Sequence, residues 1–98
     1  MDYYVTLVFF WLDTPDLAVE RVRTRVENGG HNIPEDVIRR RYVAGIKNLF
    51  SLYLPIVDLA VVVNNSQNNP LLIAKKDKEI ITLYHDSDWE TLNKLSYE

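Results

Sequence analysis

The arginines of this chain, which could hold a phosphorylated ligand, are concentrated in one stretch. All six lie between positions 21 and 41 of the 98 residues. Arg21 and Arg25 are four residues apart and share one face of a helix, whereas Arg39, Arg40 and Arg41 point in three directions from the start of another. A guanidinium group binds phosphate through two parallel hydrogen bonds. The stretch therefore has the chemistry of a phosphate-clamping lid.

A glycine-containing loop joins the two arginine groups. It contains Gly29, Gly30 and His31, and a flexible link here would let both groups close over one anion. Two simpler interpretations stay open. The glycines could serve only to end a helix, and the arginines could pair with nearby acids on solvated helix faces. His31 is a loop histidine, and such residues are more often surface groups than catalytic bases.

The sequence lacks the motifs of the common catalytic sites. It has no GxxxxGKS or GxxxxGKT phosphate loop, no GxSxG elbow and no cysteine. His85 and Asp86 have no second histidine or cysteine at metal-binding spacing. We therefore expect no catalytic residue, no metal site and no cofactor in this chain by itself.

The composition is typical of a small soluble domain. With 47% of residues apolar and 26% charged, 98 residues suffice for a single domain over 1–98 with one modest core. The net charge of −3 argues against a nucleic-acid partner. The most apolar stretch, 5–12, is far shorter than a membrane span, so we expect no membrane partner. Because the chain has no cysteine, it suits a reducing compartment, and we predict a cytoplasmic location.

Hydrophobic periodicity predicts an α/β fold, in which a small sheet has flanking helices and a C-terminal hairpin. Thr14 and Pro15 are typical of a helix start, and Gly29 is typical of a helix end. The predicted elements, in chain order, are a strand over 3–12, a helix over 14–26, a longer helix over 34–53, a strand over 58–63, a hairpin of 71–74 with 79–84, and a helix over 86–95.

The two predicted strands at 3–12 and 58–63 are apolar almost without alternation, which is typical of strands buried on both faces. A chain this short supplies few helices to cover two faces of a sheet. We therefore expect a second copy or another protein to cover part of it. The long helix carries an apolar stripe that such a partner could also contact, formed by Ile38, Tyr42, Ile46, Leu49 and Tyr53.

The arginine-rich stretch and its neighbours resemble a known family. Residues 29–42 read GGHNIPEDVIRRRY, residues 17–22 read LAVERV, and residues 45–50 read GIKNLF. Together with the strand at 5–12, these residues resemble the second half of the zeta-toxin family of P-loop kinases. They are more similar still to bacterial relatives described as predicted nucleotide kinases or ABC-type ATPases. The resemblance covers residues 3–75.

The resemblance implies a kinase in which a P-loop holds ATP and magnesium and lid arginines stabilise the transferring phosphoryl group. Zeta toxins proper phosphorylate UDP-N-acetylglucosamine, so the implied acceptor is a sugar nucleotide or another small molecule. By the same resemblance, the phosphate-binding lid residues of this chain are Arg21, Arg25, Arg39, Arg40 and Arg41. The implied lid loop contains Gly29, Gly30 and His31.

This sequence departs from the family in one essential part. The P-loop, its lysine and the magnesium-binding hydroxyl would lie upstream of Met1 and are absent from the sequence. Lid arginines cannot position the β- and γ-phosphates without that cradle. We therefore expect a kinase fragment that does not transfer phosphoryl groups alone. It could be a decayed remnant, an expressed fragment, or one half of an enzyme that a separate P-loop-containing chain completes. The alternative is a dimeric protein-interaction module that uses the uncovered sheet and the apolar stripe of the long helix.

Overall fold

The fold is α/β, as the sequence predicts. The computed structural model describes residues 4–97, so Tyr3, where the predicted first strand and the resemblance begin, lies outside the described residues. The elements are β1 (Thr6–Trp11), α1 (Pro15–Glu27), α2 (Glu35–Asn48) continued by a π-helical turn (Leu49–Tyr53), β2 (Leu59–Asn64), β3 (Leu71–Asp77), β4 (Ile80–Leu83) and α3 (Asp86–Ser96). All the predicted strands and helices are present, in the predicted order.

Local sequence explains where α1 begins and ends. The hydroxyl of Thr14 accepts a hydrogen bond from the Leu17 amide at 3.2 Å, and Pro15 is the first helical residue. At the other end, Gly29 adopts a φ of 97°, and the Gly30 amide donates to the Arg25 carbonyl at 2.8 Å. The interpretation of the two glycines as a helix end is therefore confirmed.

The strands form one mixed sheet in the order β1-β2-β3-β4. β1 and β2 are parallel and are connected through α1 and α2, whereas β3 and β4 form an antiparallel hairpin. A register shift opposite Val62 and Val63 leaves Ile73 as an extra residue of β3. Because β1 and β2 run in the same direction, their carboxyl ends meet at one end of the sheet, where ligands of α/β proteins usually bind.

The helices cover one face of the sheet and form the core with it. The most deeply buried side chains are Ile46, Leu49, Ile73, Leu92 and Val62. Ile38 is also buried, Tyr42 is half-buried, and Tyr53 is exposed. The apolar stripe of the long helix therefore lies mostly within the chain's own core. This finding corrects the expectation that the stripe is available as an interface.

The opposite face of the sheet is open within residues 4–97, and over β1 and β2 it is largely apolar. Val8 is 50% exposed there and Phe10 is 60% exposed, while Val61 and Val63 of β2 are half-buried between their neighbours. The prediction of strands buried on both faces is thus correct for one face only. No helix among the described residues is long and apolar enough to cross a lipid bilayer.

Candidate functional site

A cleft of about 320 Å³ lies at the carboxyl end of β1, between α1 and α2. Aromatic and aliphatic side chains form most of its walls, among them Phe9, Trp11, Val22 and Ile38. The volume is at the low end for small-molecule pockets, and the position is where open α/β sheets bind ligands. The cleft therefore suits a small ligand with an apolar part.

Tyr42 is the polar group at the base of the cleft, and its hydroxyl is already occupied. It accepts a hydrogen bond from Nε1 of Trp11 at 3.0 Å and donates to the Leu12 carbonyl at 2.7 Å. Burial raises the pKa of Tyr42, and the hydrogen bond from Trp11 offsets part of that rise. The side chain is therefore neutral near pH 7 and ties α2 to β1 rather than acting as a base.

Arg41 is the charged residue in the wall of the cleft. Its side chain is exposed, and within residues 4–97 it makes no ion pair or side-chain hydrogen bond. Arg25 is also exposed and makes no ion pair or side-chain hydrogen bond to a described residue. Helical spacing places it on the face of α1 that carries Ala18 and Val22, two residues of the cleft wall, but it does not itself line the cleft. Arg41 is therefore available to bind an anion in the cleft, and Arg25 is available on the neighbouring face of α1.

Two other arginines of the predicted lid have partners in the chain. Nη2 of Arg39 donates to Asp16 at 2.6 Å and its Nε donates to Glu35 at 3.1 Å. The hydrogen bonds to Asp16 and then to Glu35 raise the pKa of Arg39. Nη2 of Arg21 donates to the Asn65 carbonyl at 2.9 Å, which fixes α1 to the loop after β2. Arg39 therefore pairs with acids on an exposed helix face, as the alternative interpretation of the arginines has it, whereas Arg21 binds backbone carbonyls of a distant loop.

Arg40 lies apart from the cleft. It is exposed and has no ion pair within the described residues, but it is not among the residues that line the cleft. The step of about 100° per helical residue directs it away from Ile38 and Tyr42, which face the cleft. Arg40 is therefore the natural control for Arg41, its neighbour in the sequence.

The predicted lid loop is short and tightly connected to α1. The Gly29 amide donates to the Val26 carbonyl at 3.0 Å, and a methyl group added at Gly30 would lie 2.9 Å from the Arg25 carbonyl. His31 is exposed and makes no side-chain hydrogen bond to a described residue. Arg39 also joins the two helices through Asp16, so α1 and α2 are in direct contact in this structure.

A second polar cluster joins the ends of β1, β2 and α3, and sequence reasoning missed it. Nδ2 of Asn64 donates to Asp13 at 2.7 Å and to Asp88 at 3.0 Å. His85 contacts Asp88 at 3.3 Å, and Ser66 donates its amide to Asn64 at 3.0 Å. Within residues 4–97 no group of three acidic or histidine residues could hold a metal ion. The sequence signal for this cluster was a polar residue directly after each apolar strand, Asp13 and Asn64. The cluster holds the ends of the two strands together.

Comparison with known proteins adds no relative: no family model, curated protein or solved structure matches this chain. The resemblance to zeta-toxin kinases therefore stays a prediction, carried by the residues quoted above. The structure contributes the cleft and the division of the arginines into partnered and available groups.

Proposed function

We propose that this chain supplies the arginine-bearing lid of a zeta-toxin-like kinase and does not transfer phosphoryl groups by itself. The observation that carries the proposal is Arg41, an available guanidinium in the wall of an apolar cleft at the carboxyl end of β1. Arg25 supports it from the facing side of α1. A nucleotide has both an aromatic base, whose faces stack on other aromatic rings, and a polyanionic tail, which matches a cleft with aromatic walls and arginines beside it.

The role of the two arginines in such a kinase is electrostatic. During phosphoryl transfer, negative charge spreads over the equatorial oxygens of the transferring group, and guanidinium groups stabilise that charge. Arg41 and Arg25 would contact the phosphates, while Arg39 and Arg21 hold the helices that position them. The phosphate cradle and the magnesium ligands would come from residues other than these 98, since the sequence has no P-loop motif.

The proposal is tested by NMR titration of the chain with pyrophosphate and with ATP-magnesium. Two arginines without a cradle should give a Kd on the order of 1 mM, with the largest shifts at Arg25, Arg41 and Gly45. Arg41→Gln should weaken pyrophosphate binding by roughly three- to tenfold, because a charged hydrogen-bond donor is lost. Arg40→Gln, one residue away and outside the cleft, should leave the Kd unchanged.

Three results would count against the lid. Pyrophosphate could leave the signals of Arg25 and Arg41 unmoved, or the Arg40 and Arg41 variants could weaken binding equally. ATP hydrolysis or micromolar ATP binding by the purified chain would contradict the expectation that it is inactive alone.

Protein interaction is a second candidate function, and the open face of the sheet favours it. Exposed apolar side chains at Val8 and Phe10 continue into the half-buried Val61 and Val63, so the patch is contiguous. Contiguous apolar patches on small proteins often mark contact surfaces. This function concerns the opposite side of the sheet from the helices and does not depend on the lid.

A further inference from the structure

β1 is an edge strand that lacks the usual protection against pairing with another chain. Between Tyr4 and Leu12 there is no charged residue, no proline and no glycine, and its six pairs with β2 run without a bulge. Proteins normally blunt such edges with lysine, proline, bulges or very short strands. The opposite edge, β4, has only four residues and follows the polar turn Lys78–Glu79, so it fits that rule.

The hydrogen bonds of β1 show which backbone groups point outward. The Val5 carbonyl accepts from the Leu59 amide at 3.1 Å, and the Trp11 carbonyl accepts from the Asn65 amide at 2.7 Å. Odd-numbered residues therefore bond to β2. Since successive residues of a strand alternate in direction, Thr6, Val8 and Phe10 direct their amides and carbonyls away from the sheet.

We infer that two copies of this chain pair antiparallel along β1, with Val8 opposite Val8 on a two-fold axis. In that register Thr6 of each copy lies opposite Phe10 of the other. Each of the three pairs exchanges two backbone hydrogen bonds, about six in all, and uses only groups that point outward. The two sheets then form one continuous sheet of eight strands.

The outward edge of β1 is complementary to itself, so we assign a second copy of this chain as its partner. An isologous contact needs one surface that matches itself, and the outward groups are centred symmetrically on Val8. The side chains of Thr6, Val8 and Phe10 all lie on the open face, so the pairing brings Val8 against Val8 and Phe10 against Thr6. Because 4–12 carries no charge, the two copies meet without like-charge repulsion.

The interface is small, and its size sets the expected affinity. Two six-residue strands are about 20 Å long and bury less than the roughly 1,200 Å² of a standard stable interface. We therefore expect a dimer with a Kd on the order of 10–100 μM, visible by sedimentation or light scattering between about 5 μM and 1 mM.

Two substitutions at Val8 test the pairing. Val8→Lys places a charge at the axis, and because this side chain is half exposed the monomer should tolerate it. Val8→Pro removes an outward amide without touching a bond to β2. Each should raise the dimer Kd at least tenfold while the circular dichroism spectrum stays that of the folded chain. Thr82→Lys, an exposed open-face position on β4, is the control and should leave the Kd unchanged.

The outcomes separate this inference from both candidate functions. A chain that stays monomeric at 1 mM would overturn it, and so would a dimer weakened equally by Thr82→Lys, which indicates stacking of open faces. In a mixture of differently labelled copies, NMR contacts between Val8 methyl groups should cross the interface. Val8→Lys should leave the pyrophosphate titration unchanged, so failure of the dimer and failure of the lid are distinguishable.

Discussion

Along β1 and β2, the two faces of the sheet have similar composition and opposite surroundings. Along β1, Leu7, Phe9 and Trp11 lie under the helices, whereas Val8 and Phe10 lie in the open. Both sets are apolar, so hydrophobicity alone does not distinguish them. What distinguishes them is the number of helices that the chain supplies, since all of them pack on one side. The apolar content therefore indicates how much surface favours burial, and the topology determines which face of the sheet the helices bury.

The largest change in stability is expected from truncation of a core leucine. Leu92 of α3 has 0% exposure, so Leu92→Ala should lower the free energy of unfolding by about 3 kcal/mol, through lost burial and the cavity left behind. Val8→Ala on the open face should cost less than about 1 kcal/mol. Urea unfolding at a low micromolar concentration measures both. Equal losses would mean that the open face is covered in the monomer.

Removal of the Tyr42 hydroxyl should have an intermediate effect. Tyr42→Phe leaves Nε1 of Trp11 and the Leu12 carbonyl without their partner, which should cost about 1–2 kcal/mol of unfolding free energy. Tyr53→Phe is the matched control, because that exposed hydroxyl makes no side-chain hydrogen bond to a described residue. If the two variants are equally stable, the hydroxyl of Tyr42 does not tie α2 to β1.

Alkaline pH should reduce the difference in free energy of unfolding between the wild type and Tyr42→Phe. Burial raises the pKa of Tyr42 in the folded chain above the usual value of about 10, so the unfolded chain loses this proton first. The stabilisation is complete below about pH 9 and is lost as the pH rises through the folded-state pKa. The free energies of unfolding of the wild type and of Tyr42→Phe should therefore begin to converge above about pH 9 and converge further as the pH rises through the folded-state pKa. A constant difference across that range would contradict the assignment.

The smallest expected effect concerns the exposed ion pairs of Arg39. Arg39→Gln should lower the Tm by less than Tyr42→Phe does, because Asp16 and Glu35 are solvent-exposed partners. The difference should shrink at about 0.5 M salt, where such pairs are screened. Arg40→Gln should leave the Tm unchanged at either salt concentration. Equal shifts for both variants would remove the distinction between partnered and available arginines.

The sequence predicts the elements well because their signals are local. The Thr14 cap, Pro15 and the glycine pair at 29–30 mark the ends of α1 within a few residues of the chain. The arginines are harder, because Arg21 bonds to a carbonyl 44 residues away and that contact exists only in the folded chain. For the same reason no spacing rule finds the contact of Asn64 with Asp13, 51 residues earlier.

The long-helix stripe shows the other limit of sequence reasoning. Helical spacing correctly aligns Ile38, Tyr42, Ile46 and Leu49 on one side, but an apolar stripe looks the same whether a core or a partner covers it. The tertiary structure resolves the choice, because Ile46 and Leu49 belong to one buried cluster with Val62 of β2 and Ile73 of β3. That packing is a tertiary property, so the sequence left core and interface open.

The extra residue at Ile73 couples distant parts of the fold. Its carbonyl accepts from both the Tyr84 and His85 amides, at 2.8 and 3.1 Å, and so sets where the hairpin stops and α3 starts. The bulge takes up this residue without reversing the strand, because Leu72 still pairs with Val63 and Ala74 still pairs with Val62. The paired side chains on either side of Ile73 therefore keep their faces, while the extra residue supplies the carbonyl that joins the end of the hairpin to the start of α3. One inserted residue thus provides a contact from which the helix that carries Asp88 begins.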